Sequence, residues 1–171
     1  MHPRIAELVA YLDAETEKLN RLYDSVPAER RAVRPAADRW SPAENVHHIA
    51  ITERRLAARI TALADQARAL DPEDESSPVF ATSPATRAID RSMRIKTGEA
   101  GQPRNTDPSR VWDELMDARR QLTAAIAAAD GLALGAVSAP HPALGQFTGY
   151  DWIAFAGTHV ARHAAQIREG L

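Results

Sequence analysis

The chain has 171 residues, of which 44% are hydrophobic and 26% charged, and its formal net charge is −2. That length and apolar content suit one globular domain with its own core, and the charge lacks the basic footprint that nucleic-acid binding calls for. Cysteine is absent, which excludes disulfides, thiolate metal ligands and a cysteine nucleophile together. Any metal must then be held by histidine, carboxylate or water. No apolar run approaches membrane-spanning length and the N-terminus has no signal-peptide pattern, so the expectation is a cytoplasmic protein with no membrane or nucleic-acid partner.

The first predicted helix covers residues 3–26, with Ile5, Leu8, Val9, Leu12, Leu19, Leu22, Tyr23 and Val26 at helical spacing and Pro3 in its first turn. A polar connector containing Pro35 leads to Trp40. The second helix, residues 42–69, opens on Ser41-Pro42-Ala43-Glu44, a capping box with proline at the first helical position. Its stripe of Val46, Ile49, Leu56, Ile60, Leu63 and Ala67 is broken only by Glu53. The acidic run from Asp71 to Glu75 reads as a solvated helix end. From there to Asn105 the chain is rich in Pro, Ser, Thr and Gly and forms a long crossover, with a short helix possible between Ala85 and Lys96. Loops of that length in a small domain tend to be functional.

The third helix is expected at residues 108–130, capped by Asp107-Pro108 and stopped at Asp130-Gly131, with Val111, Leu115, Ala118, Leu122 and Ile126 on its apolar stripe. A Gly-, Ala- and Pro-containing loop runs to Phe147. The fourth helix, residues 149–169, begins at a second capping box, Thr148 to Asp151. No strand pattern rises above background. The fold class is all-α, a single-domain four-helix bundle over residues 1–171 of up-and-down type with a long crossover loop.

His159 and His163 are four residues apart on the fourth helix, so their Cβ atoms lie roughly 5–6 Å apart on one face. They share the apolar stripe with Trp152, Ala156, Val160 and Ile167. Both rings therefore point inward, where an unpaired polar group is costly. Two readings remain: core histidines bonded to backbone or carboxylate, or two ligands of one divalent metal. A metal needs a third ligand from a facing helix. His47 and His48 both qualify, but adjacent helical residues diverge by about 100°, so only one can join. The apolar pattern does not choose between them.

The segment Trp40-Ser41-Pro42-Ala43-Glu44-Asn45-Val46-His47-His48-Ile49 resembles the Trp-Ser-x-x-Glu-x-x-x-His-Leu motif of the DinB-like superfamily, which includes YfiT-type proteins described as metal-dependent hydrolases. The closing His159-x-x-x-His163-x-x-Gln166 resembles the C-terminal signature of the same family, in its Arg-His form at Arg162-His163. His141-Pro142-Ala143-Leu144-Gly145 resembles a His-Pro-x-x-Gly segment found in one branch. The likeness spans nearly the whole chain. It implies a DinB-like bundle and a three-histidine metal site of His48, His159 and His163. It also implies pairing as a homodimer.

Other residues take places around this centre or apart from it. Gln166, His47 and His141 are candidates for the shell around the metal ligands: Gln166 to orient a ring or a bound water, His141 at the mouth of the site or in a proline-rich turn, His47 there or facing solvent. Glu44 is better explained as the capping residue than as a general base. Trp40 reads as a core anchor, Arg162 as a surface or interface charge, and His2 has no assigned role.

Three neutral imidazoles leave the charge of a divalent ion uncompensated and a coordination position open, as catalytic zinc sites do and closed structural sites do not. Zinc or nickel is the expected metal, since imidazole suits both. Such a site activates a water or a thiol near neutral pH. Resemblance to the better-understood family members implies transfer of a low-molecular-weight thiol such as bacillithiol or mycothiol as co-substrate, or thiol-assisted isomerisation, with hydrolysis as the other chemistry. The substrate is a small molecule. The alternative is a non-catalytic metal- or ligand-binding stress-response protein. An open position in a cleft favours the enzyme, and a closed apolar site favours the binding module.

Overall fold

Four amphipathic segments form the bundle: α1 (Pro3–Ser25), α2 (Pro42–Ala67), α3 (Val111–Ala128) and α4 (Gly149–Arg168). The computed structural model describes residues 1–171 apart from 72–75, 94 and 96. Of the acidic run, only Asp71 is therefore among the described residues, and it is exposed.

The helix starts follow from local chemistry. Ser41 Oγ accepts from the Glu44 N–H at 3.2 Å while Glu44 Oε2 accepts from the Ser41 N–H at 2.8 Å. Thr148 and Asp151 repeat the exchange at α4, at 3.2 and 2.8 Å. Each box satisfies amide groups that the first helical turn cannot. α3 differs from expectation and starts at Val111 rather than 108. The Asp107 carboxylate instead accepts from the Ser109 N–H and hydroxyl, at 2.9 and 2.7 Å, and closes a separate turn. Short Asp side chains compete with the helix in this way.

The segment expected to be a loop before α4 contains a two-stranded antiparallel hairpin, β1 (Ser138–His141) and β2 (Gly145–Thr148), with Ala139 opposite Phe147. Its alternation is hidden because β1 is short and contains Pro140, and because β2 starts at Gly145, whose φ of +93° turns the chain. In the crossover, 3₁₀ turns replace the suggested helix, the longest being Pro84–Ile89. Arg94 and Lys96, at the far end of that expected helix, lie outside the described residues.

The helices do not alternate in simple up-and-down order. α2 and α3 run parallel, with His47 near Glu114, Glu53 bound to Arg119, and Arg68 bonded to the Ala128 carbonyl. α1 and α4 are also parallel: His2 stacks near Tyr150, and Tyr11 lies against Gly157. α2 opposes α4, pairing Asn45 with His163 and Arg59 with Trp152, and α1 opposes α3. The directions are up, down, down, up. Two parallel neighbours cannot be joined by a tight turn, so the α2–α3 connection must travel back along a helix of 26 residues, roughly 39 Å. This geometric demand accounts for the long crossover.

Arg162 holds part of that crossover in place. Its guanidinium is buried and donates to the carbonyls of Ala88, Asp90 and Met93 at 2.9, 2.8 and 2.6 Å. It is therefore an internal strut, not the surface charge expected from sequence. Irregular backbone has no ladder partners, and a buried five-donor fork satisfies several carbonyls at once. Gly157 supports the α1–α4 contact, since a Cβ there would lie 2.5 Å from Tyr11 Cδ1.

The lone break in the α2 stripe also has a partner. Glu53 is 1% exposed and binds Arg119 of α3 through both oxygens, Nε to Oε2 at 2.9 Å and a terminal nitrogen to Oε1 at 2.5 Å. The other terminal nitrogen of Arg119 donates to Thr16 Oγ1 of α1 at 2.5 Å. The network links three helices. Removing one partner strands a buried charge, whereas removing both need not be costly. Arg119→Ala is expected to cost about 3–5 kcal/mol in urea unfolding. Glu53→Leu combined with Arg119→Met should recover most of the loss, and equal losses in single and double variants would contradict this account.

Candidate metal centre

α2 and α4 run antiparallel across the middle of the bundle, which brings residues early in α2 against residues late in α4. His48 of α2 then meets both His159 and His163 of α4. His48 Nε2 and His163 Nε2 each lie 3.1 Å from His159 Nε2. One ligand atom from each of the three residues lies within 4.8 Å of the others. All three are buried, at 5%, 7% and 4% exposure. Among the described residues, this is the only group of three or more histidines, cysteines or carboxylates able to hold a metal ion.

The outward nitrogens fix the tautomers. His48 Nδ1 is 2.6 Å from the Gly101 carbonyl, which can only accept, so Nδ1 carries the proton and Nε2 presents a lone pair. Asn45 donates its amide to the carbonyls of Trp40 and Ser41 at 3.3 and 3.0 Å, which turns its Oδ1 toward His163 Nδ1 at 2.9 Å. His163 is thereby fixed in the same tautomer. Two lone pairs thus converge on the third imidazole, whose single Nε2 proton could serve only one of them. A cation at the focus satisfies all three nitrogens, and the donor set fits a divalent ion held by neutral imidazoles with carbonyl and amide groups orienting the rings.

The electrostatics agree. Burial pushes His48 down from 6.5 to about 4; the charges of Arg55 and His47 add to the fall and the Gly101 bond opposes it. Burial, followed by the neighbouring rings and Arg162, holds His159 and His163 well below the ordinary histidine range. At neutral pH all three rings are uncharged, the form that can ligate.

The remaining residues singled out from sequence take other positions. His47 points to the α3 side, with Nδ1 2.9 Å from Thr106 Oγ1 and Nε2 3.8 Å from Glu114. His141 is in the hairpin; its Nδ1 accepts from the N–H groups of Ala143 and Leu144 at 3.2 and 3.1 Å, and its ring packs on Phe147 and Phe155. It both caps the turn and lines the cavity above the histidines. Gln166 also lines that cavity, but its buried Oε1 has no partner among the described residues. Glu44 serves its capping box and a bidentate pair with Arg34. Trp40 covers the centre, with its ring 4.7 Å from that of His48 and stacked 6.0 Å from that of His163.

Asn45 and Gly101 were not singled out from the sequence. Asn45 was detectable in principle, because it sits three residues before His48 and so shares its helix face. Gly101 had no signal; it reaches His48 through the crossover.

The histidines form the floor of a cavity of about 1310 Å³, walled by α2, α4, the crossover and the hairpin. Among the described residues no fourth histidine or carboxylate joins the cluster, and all three histidines line the cavity. No helix of the described residues is long and apolar enough to cross a membrane.

The depressed values have a stability consequence. In the unfolded chain each ring takes a proton near pH 6.5, while native His48 resists protonation until about 4. The unfolded state binds more protons in that window, so metal-free stability falls as pH drops from about 6.5 toward 4. One buried ring contributes roughly 3 kcal/mol across the window. Urea unfolding in chelator at pH 6.5 and 4.5 should show the loss, and His48→Leu should reduce it by one ring's share, since His159 and His163 remain. A pH-independent midpoint would contradict the assignment.

A family model described as the DinB superfamily matches residues 3–167. The chain is also similar to the uncharacterized protein YuaE of Bacillus subtilis (strain 168), with 28% identity over 159 residues covering 92% of each chain. No solved structure gives a significant match.

Proposed function

This chain belongs to the DinB superfamily, and from that premise we propose that it is a metal-dependent enzyme acting on a small molecule, with His48, His159 and His163 as the ligands. The observation that carries the reading is that the three-histidine cluster lines a cavity. Three neutral donors converge, and all three of their residues line its walls. A closed structural site would have a fourth protein ligand in that place.

Zinc or nickel suits this donor set. Bound there, the ion would act as a Lewis acid that makes a nearby water or thiol more nucleophilic at neutral pH. The chain's own residues do the rest. Gly101 and Asn45 hold two rings in the tautomer that presents Nε2. Trp40 covers the rings on one flank and keeps bulk water from them. His141, with its Nδ1 engaged by two backbone amides, offers its Nε2–H to the cavity as a hydrogen-bond donor. A low-molecular-weight thiol as co-substrate fits a chain without cysteine, because the nucleophilic sulfur must then come from outside; hydrolysis by water is the alternative chemistry of the same centre.

Metal content and turnover test this separately. Wild type dialysed against zinc or nickel should retain about one equivalent, and His163→Ala should retain almost none, since two histidines hold a divalent ion far more weakly. Metal should raise the melting temperature of wild type and not of the variant, because a ligand of the native state stabilises by mass action. The loaded protein should turn over a member of a panel of thiols, electrophiles and amides, and His48→Ala should abolish this with helical content unchanged. Metal binding with no product anywhere in the panel would favour a non-catalytic binding protein. Stoichiometric metal in His163→Ala would remove the proposed centre.

A further inference from the structure

The cavity has a second polar feature besides the histidines. His48, Thr52, Arg55 and Arg59 recur at four- and three-residue steps on α2 and all line it, so the two arginines continue the ligand's own helix face. Every other arginine of the cavity is engaged: Arg34 by Glu44, Arg39 and Arg91 by Glu169, and Arg162 by three backbone carbonyls. Arg55 and Arg59 have no carboxylate partner among the described residues, and Arg59 rests over the Trp152 ring at 5.5 Å. The cavity's two described carboxylates are Asp38, beside Arg39 in the chain, and Glu99, which is paired with Arg104.

Arg55 lies next to the histidine centre. Gly101 separates them: the point where its Cβ would stand is 3.5 Å from His48 Cε1 and 3.6 Å from an Arg55 terminal nitrogen. The Thr97 methyl stands 2.7 Å from the same point, so the crossover packs between ring and guanidinium, and Gly101 spares that spot a further side chain. The charges also sum in one direction. Three neutral imidazoles would leave a divalent ion's charge whole, Arg162 adds a buried cation bonded to carbonyls alone, and Arg55 and Arg59 add two more. Clustered positive charge in a walled cavity calls for an anion, and guanidinium forks match the paired oxygens of carboxylate and phosphate.

We infer that the cavity takes an organic anion, a carboxylate or a phosphate ester, whose charged group rests on Arg55 and Arg59 while its body extends over Trp152 and Phe155 toward the three-histidine centre. The inference names the substrate class of the function proposed above and rests on that reading for the role of the centre. The anion seat itself belongs to α2 and exists without the metal.

Probe binding separates the two ideas. Benzoate, phenylphosphonate and the neutral benzamide would be titrated by calorimetry into the protein at low ionic strength, once metal-free in chelator and once zinc-loaded. In the metal-free wild type, one of the anions should bind on the order of tenfold more tightly than benzamide, the discrimination that a charge-assisted hydrogen bond provides. In Arg55→Gln/Arg59→Gln the preference should shrink to within about threefold, with zinc content unchanged; both side chains are exposed on the helix, so folding is not at risk. Failure of both anions to exceed benzamide in the metal-free wild type would overturn the inference, as would a preference that survives in the double variant. Failure of wild type to retain zinc would count against the metal centre alone, because the metal-free comparison is decided independently.

Discussion

Three imidazole nitrogens inside a helical bundle, two of them 3.1 Å from the third and directing their lone pairs at its ring, are the constraint on which the rest of the structure turns. Burial keeps the rings neutral, and their mutual approach leaves acceptors facing each other without enough protons to bridge them. Such an arrangement costs free energy in an apolar interior unless a cation occupies the focus. The hydrogen bonds on the far side of two rings raise that cost for any other tautomer. Gly101 on the crossover and Asn45 on α2 both fix the ring proton on Nδ1 and leave Nε2 bare.

The topology follows the same requirement. Ligands on α2 and α4 meet only because those helices are antiparallel neighbours, and the α2–α3 pair is parallel, which forces the long return of the chain. That return is put to use: it carries Gly101 to His48, and Arg162 fixes its middle through three carbonyls. The crossover is thus a wall of the cavity rather than a spacer. On the opposite side of α2, the Glu53–Arg119–Thr16 network ties α1, α2 and α3 together, holding in register the helix that presents His48.

Much of this was legible in the sequence where one local rule decides the outcome. The capping boxes at Ser41 and Thr148 located two helix starts to the residue, and the four-residue spacing of His159 and His163 placed both rings on one inward face. The choice of His48 over His47 was not available from periodicity, because both flank the same apolar positions; the family motif pointed to His48, and the structure places that ring in the cluster. Features that depend on distant partners were not legible. Arg162 reads as a surface charge because nothing local shows three orphan carbonyls waiting from residues 88–93. Arg119 is invisible beside Ala118, although Glu53 inside an apolar stripe signals that some cation must meet it. The hairpin is obscured by Pro140 and Gly145, and the parallel course of α2 and α3 has no sequence marker except the length of the loop between them.

A metal ion held by three imidazoles, with an open position toward the cavity, would have a distinctive first shell. X-ray absorption at the zinc edge of the loaded protein measures this directly. Three imidazole nitrogens at about 2.0–2.1 Å are expected, with one further light-atom ligand from solvent, and the imidazole shell should be lost from His48→Ala. A first shell dominated by carboxylate oxygens, or an imidazole count unchanged in His48→Ala, would contradict it.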